Sequence, residues 1–128
     1  MNQKLKWIVA LIAVIALLSP IIFASTDALK IVQKEVDSAN REISKLCSEA
    51  QRAADNLTRD YENGKIDESY YRSSVASLAT TLVTTTNSIS RETIQFAADL
   101  GIRVKCERIV VDIGFTKISV DPLIICDD

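Results

Sequence analysis

Between residues 27 and 100 the apolar positions fall on two rows of helical spacing separated by Asn63-Gly64. The first row runs Leu29, Val32, Val36, Ala39, Ile43, Leu46, Ala50, Ala53 and Leu57 in alternating steps of three and four, the heptad rhythm of a helix buried along one side. The second runs Tyr71, Val75, Leu78, Leu82, Thr85, Ile89, Thr93, Phe96 and Leu100, with a stutter through Thr85, Ile89 and Thr93 that relaxes the supercoil locally. Folding the chain back at Gly64 sets Leu57 against Tyr71, Ala53 against Val75, Ala50 against Leu78, Leu46 against Leu82, Ala39 against Ile89 and Val32 against Phe96. The expected element is a long antiparallel helical hairpin of coiled-coil type over residues 26–101, its turn near residues 63–66.

Local signals agree with that boundary. Ser25, Thr26 and Asp27 offer capping side chains just ahead of the first row. Gly64 suits the left-handed residue that closes a helix, and Asp67 is a good N-cap for the next one, with Ile66 placed to staple onto its first turn. The second arm is the weaker helix former, because Thr80, Thr81, Thr84, Thr85, Thr86, Ser88 and Ser90 crowd its middle. Its row nevertheless stays in step, and Gly101 follows as a stop. A further apolar stripe at Ala28, Ile31, Cys47 and Ala54, and at Ala76, Ala79, Val83, Ile94 and Ala97, is available for the C-terminal segment or for a second hairpin.

After Gly101 the period changes to two. Ile109, Val111 and Ile113 alternate with Arg108, Val110 and Asp112. Gly114-Phe115 makes a two-residue turn, and Thr116, Ile118 and Val120 return opposite Lys117, Ser119 and Asp121. Residues 102–128 therefore read as a small β-hairpin with Asp112 facing Lys117, followed by Pro122, a last apolar run and an acidic end. Because the helices return Leu100 close to Leu29, the strands are expected at the end of the helical pair away from Gly64.

The first 25 residues are different in kind. Lys4 and Lys6 precede an uncharged apolar segment over residues 7–24, followed at once by Ser25. Its 18 residues are at the short end of a membrane span. Ser19-Pro20 and Ala24 also fit a signal peptide cleaved near Ala24, although Ile22 stands where alanine is more usual. In both readings the two lysines stay cytoplasmic and the chain from Ser25 onward lies outside the cytoplasmic membrane. The expectation is a single-pass protein of the cell membrane with a cytoplasmic N-terminus, or a secreted one. The fold class is then mainly α: an N-terminal membrane-spanning or signal helix, the helical hairpin and the β-hairpin.

Charge and composition narrow the function. Beyond Lys6 the chain carries 13 of its 15 cations against all 17 acids, an acidic balance that argues against nucleic-acid binding. There is no histidine, which removes the commonest general base and metal ligand. With three glycines there is no phosphate loop, and no serine has an activating partner in a recognisable motif. No catalytic residue, cofactor or metal site is expected. Of three cysteines, Cys106 and Cys126 are the candidates for a disulfide, while Cys47 beside the first row reads as a buried apolar residue. Together these features point to a non-catalytic structural or protein-interaction protein that self-associates through helices or strand edges. The alternative is a secreted or periplasmic module holding a small ligand between the strands and the helix base.

Overall fold

A computed structural model describes residues 26–126. The expected anchor or signal segment at residues 7–24 lies outside the described residues, and no helix among those described is long and apolar enough to cross a membrane. The fold is mainly helical. Helix α1 (Thr26–Glu62) and helix α2 (Glu68–Asp99) form the antiparallel hairpin, followed by strands β1 (Val104–Cys106), β2 (Ile109–Ile113), β3 (Thr116–Val120) and β4 (Leu123–Ile125).

Both helices stop in the same way. Gly64 (φ 74°) lets its own N–H reach the Tyr61 carbonyl and the Lys65 N–H reach the Asp60 carbonyl. Gly101 (φ 76°) does the same for Ala98 and Ala97, through its own N–H and that of Ile102. These are paired bonds that satisfy the last carbonyls of a helix, available to a residue without a Cβ. Asp67 caps α2 as expected, its carboxylate accepting the Tyr70 N–H at 2.8 Å. The threonine-rich arm is helical throughout, and its buried threonine hydroxyls are satisfied within the helix. Thr86 Oγ1 donates to the Leu82 carbonyl at 2.8 Å and Thr93 Oγ1 to the Ile89 carbonyl at 2.9 Å.

The buried rows differ from the heptad rows. In α1 they are Ala28, Val32, Val36, Ala39, Ile43, Cys47, Ala50 and Ala54; in α2 they include Tyr71, Val75, Ala79, Leu82, Thr86, Ser90, Thr93 and Ala97. The α1 set advances by 4, 4, 3, 4, 4, 3, 4, the period of an 11-residue repeat, and in α2 a row of the same spacing is buried alongside Ile89, Phe96 and Leu100 of the heptad row. Thr58 Oγ1 and the Tyr71 hydroxyl are hydrogen-bonded at 2.8 Å, joining the end of α1 to the start of α2. Of the expected rows, Val32, Val36, Ala39, Ile43, Ala50, Tyr71, Val75, Leu82, Ile89, Thr93, Phe96 and Leu100 are buried, whereas Leu46, Ala53, Leu57, Leu78 and Thr85 are only half-buried and Leu29 is 46% exposed.

The rotation has a cause: the strands lie along the helical pair and not at its foot. Strand β2 pairs with β3 in the expected register, Asp112 opposite Lys117 and Val111 opposite Ile118, and β1 pairs with β4. The two ladders share one register, since Val104 opposite Ile125 and Ile109 opposite Val120 belong to the same hairpin. Pro122 has no N–H to give, and only the Glu107 N–H to Pro122 carbonyl bond (2.7 Å) bridges the gap. At this break the ribbon exchanges sides. β1 and β3 pack on α2, whereas β4 packs on α1 and β2 packs chiefly there. A half-turn of a two-stranded ribbon inverts the face it presents. A three-residue step on each arm, Cys106 to Ile109 and Val120 to Leu123, brings the apolar face back to the helices.

Helix side chains hold the ribbon by its backbone. Asn40 donates from Nδ2 to the Leu123 carbonyl (2.9 Å) and accepts the Leu123 N–H at Oδ1 (2.8 Å), acting as a strand of one residue. Ser90 Oγ donates to the Asp121 carbonyl at 2.7 Å, and Gln51 Nε2 to the Asp112 carbonyl at 3.3 Å. These bonds hold Leu123 beside Asn40, Asp121 beside Ser90 and Asp112 beside Gln51, next in sequence to the small buried residues Ala39 and Ala50. The ribbon turn reaches further still. A Cβ on Gly114 (φ 58°) would come within 3.1 Å of a Val75 methyl.

Two stability outcomes follow. Replacing Asn40 with alanine leaves two backbone groups of Leu123 without partners and should lower unfolding free energy by roughly 1–3 kcal/mol in urea titration. Gly114→Ala combines a positive φ with the Val75 contact and should cost about 1–3 kcal/mol in the same measurement.

Candidate functional site

Two surface features stand out from the packed core: an aromatic cluster at the turn end of the hairpin and the open face of the helical pair. The cluster draws on three segments. Tyr61 closes α1, Tyr70 and Tyr71 open α2, and Phe115 is carried there by the ribbon turn. The Tyr61 and Tyr71 rings stack with centroids 4.8 Å apart and planes 6° from parallel. Phe115 meets Tyr71 at 5.7 Å in a tilted arrangement, and the Arg72 guanidinium lies 5.1 Å from the Phe115 centroid. Arg72 is itself held by Glu68 at 3.0 Å. Only Tyr71 is buried; Tyr70 is 58% and Phe115 51% exposed. The turn residues Asn63, Gly64 and Asp67 lie at this end, where they shape the tip and carry no apparent chemistry of their own. Nothing in the alternation of β2 and β3 placed Phe115 here, because that required knowing that the ribbon runs along the helices.

The second feature is a groove of about 630 Å³ lined by helix residues alone: Ala53, Asn56, Leu57 and Asp60 from α1, and Tyr70, Ser73, Ser74, Ser77 and Leu78 from α2. The half-buried leucines of the heptad reading fall here, on the side of the helical pair that the ribbon leaves uncovered. Leu46 lies two helical turns from Ala53 on the same row. Leu100, Val104, Val120 and Leu123 are all buried.

The charges of this molecule are sorted by burial. Every lysine and arginine among the described residues is exposed, whereas Glu35, Glu42, Asp60 and Glu92 on the helices are half-buried. Burial pushes the Glu35 carboxyl above its ordinary range, with no neighbouring cation to offset it.

The cysteines are free thiols: Cys47 is buried, Cys106 exposed and Cys126 half-buried. The expected Cys106–Cys126 disulfide is absent because Cys106 pairs with Leu123, three residues from Cys126 and so about 10 Å along the strand. Burial raises the Cys47 pKa, while burial and then the Asp121 carboxylate raise that of Cys106, so both stay as the less reactive thiol. Among the described residues no group of three or more cysteines and carboxylates is placed to hold a metal ion. Comparison with protein-family models, curated proteins and solved structures finds no match to this chain.

The Glu35 shift predicts a pH dependence. The folded protein holds the Glu35 proton more tightly than the unfolded chain, so this contribution to stability is complete below the ordinary glutamate range. It is lost as pH rises through the folded value. Glu35→Gln should therefore melt above the parent at pH 7, and the gap should close as pH falls below that range.

Proposed function

We propose that this is a non-catalytic, extracytoplasmic protein-interaction module, anchored by residues 7–24, that meets a second copy of itself through the aromatic tip. The observation that carries this reading is the composition of the tip. Tyr61, Tyr70 and Phe115 stand exposed around a buried Tyr71, with Arg72 over the Phe115 ring. Tyrosine and arginine are among the residues that concentrate binding energy at protein interfaces, tyrosine through a large rigid ring and arginine through a planar guanidinium that stacks and donates several hydrogen bonds. The charges around them alternate in sign, with Arg59, Lys65 and Arg72 among Asp60, Glu62, Asp67 and Glu68. Such a mixture can satisfy its own copy across a two-fold axis. Strand edges are the weaker route to self-association, because Asn40, Ser90 and Gln51 already engage the ribbon backbone at three points.

Support for the anchor is the pattern of the sequence: Lys4 and Lys6, then 18 uncharged residues. The tip then stands roughly 55 Å from the start of α1, at 1.5 Å per residue over its 37 residues.

Sedimentation velocity of the full chain in an uncharged detergent tests the reading. Concentration-dependent dimerisation is expected, weakened about tenfold by Tyr70→Ser with Phe115→Ser while the helical circular dichroism signal is kept. A monomer at all concentrations, or a dimer indifferent to both substitutions, would overturn it.

A further inference from the structure

Beyond the tip, the open face of the helical pair has a chemistry of its own. We propose that it is the docking groove for a basic amphipathic helix of a different protein. Three observations meet there. The first is shape: two antiparallel helices, covered by the ribbon on one side, leave a groove between them toward the turn end, lined by Leu57 and Leu78 among others. Its floor is apolar, formed by the half-buried Leu46, Ala53, Leu57 and Leu78.

The second observation is the sign of the walls. On α1, Glu35, Glu42, Glu49 and Asn56 recur every seven residues, a single row of which Asn56 lines the groove, and Asp60 lies one turn beyond. On α2, Leu78, Thr85 and Glu92 recur at the same interval. The charged members of both rows are all acidic. The third is that these acids are unoccupied. Glu35, Glu42, Asp60 and Glu92 have neither an ion pair nor a side-chain hydrogen bond with the described residues, although all four are half-buried. Elsewhere on the described helices each cation and acid is exposed, so the partial burial of unpaired charge is confined to this face.

An apolar floor between acidic walls fits an occupant with an apolar stripe flanked by lysine or arginine, whose long stems cover the leucines while their heads reach the carboxylates. The row from Glu35 to Asp60 covers 25 residues of α1, about 38 Å, and takes a helix of similar length. A second copy is the wrong occupant. Valley against valley would set acid against acid, and the exposed cations of α1 at Lys34, Arg41, Lys45 and Arg52 belong to a polar face without large apolar residues.

The probe is a fluorescein-labelled 18-residue leucine/lysine amphipathic helix, with a leucine/glutamate peptide of the same pattern as its counterpart. Both are titrated against the full chain in uncharged detergent, after subtraction of detergent alone. Saturable binding of the lysine peptide is expected, at least tenfold tighter than that of the glutamate peptide, with methyl NMR shifts at Leu46, Leu57 and Leu78. The set Glu35→Gln, Glu42→Gln, Asp60→Asn and Glu92→Gln should weaken it about tenfold. Asp37→Asn with Asp55→Asn, two exposed acids on other rows, should change it less than twofold. Phe115→Ser should leave it intact, which separates this groove from the tip contact. Absence of binding, equal weakening by the two acid sets, methyl shifts only on the ribbon, or dimerisation promoted by the four-fold variant would each overturn the proposal.

Discussion

The structure depends on a shortage of volume between its two helices. Ala39 and Ala50 on α1 and Ala79 and Ser90 on α2 are small buried side chains, and a pair of helices alone cannot close a core around such positions. The ribbon supplies what is missing. Leu123, Ile113 and Val120 are almost wholly buried, and side-chain hydrogen bonds from Asn40, Gln51 and Ser90 hold the ribbon backbone in place. The alanines and serines of the helices and the leucine and isoleucines of the strands are therefore complementary parts of one core. Neither the break at Pro122 nor the exchange of helices by the ribbon arms makes sense without the need to keep that apolar face turned inward.

Much of this was legible in the chain. The helix boundaries, the caps at Gly64 and Asp67, and the Asp112–Lys117 register of the strands depend on residues close in sequence, and local signals specify them. Asp112 and Lys117 indeed form an ion pair at 2.7 Å. The buried row was harder because two rows of similar hydrophobicity lie side by side on each helix. Leu46, Leu57 and Leu78 are the more apolar choice; Cys47, Ala54 and Ala79 are the buried one. Which row wins is decided by where a third element lies, and that is a tertiary matter that no periodicity in the helices encodes. The same ignorance moved the strands to the foot of the hairpin and hid the tip cluster, which needs Phe115 beside Tyr71. The disulfide failed for a related reason: Cys106 and Cys126 share a ribbon, but the register that sets Cys106 opposite Leu123 carries Cys126 past its reach.

The displaced leucines are informative about the surface. Had the heptad row been the core, Leu46, Leu57 and Leu78 would lie within it. Its rotation toward the ribbon leaves leucines at the opposite face, beside carboxylates that have no cation to meet. Elsewhere on α1 acids and cations are interleaved and exposed, as at Lys34, Asp37, Arg41, Lys45, Arg52 and Asp55. The arrangement costs stability in the isolated chain, through charges that are partly desolvated and unpaired. Costs of that kind are commonly found where a surface serves a partner.

The grip of Asn40 on Leu123 also bears on how the chain folds. The two residues are 83 positions apart, whereas the helices form from contacts between near neighbours and meet across a short turn. A two-stranded ribbon is marginal by itself, so it gains its order from the helices it covers. The ribbon is thus closed by long-range contacts, the kind that form more slowly, and wherever they are not made its apolar face is open to the helices of a second copy.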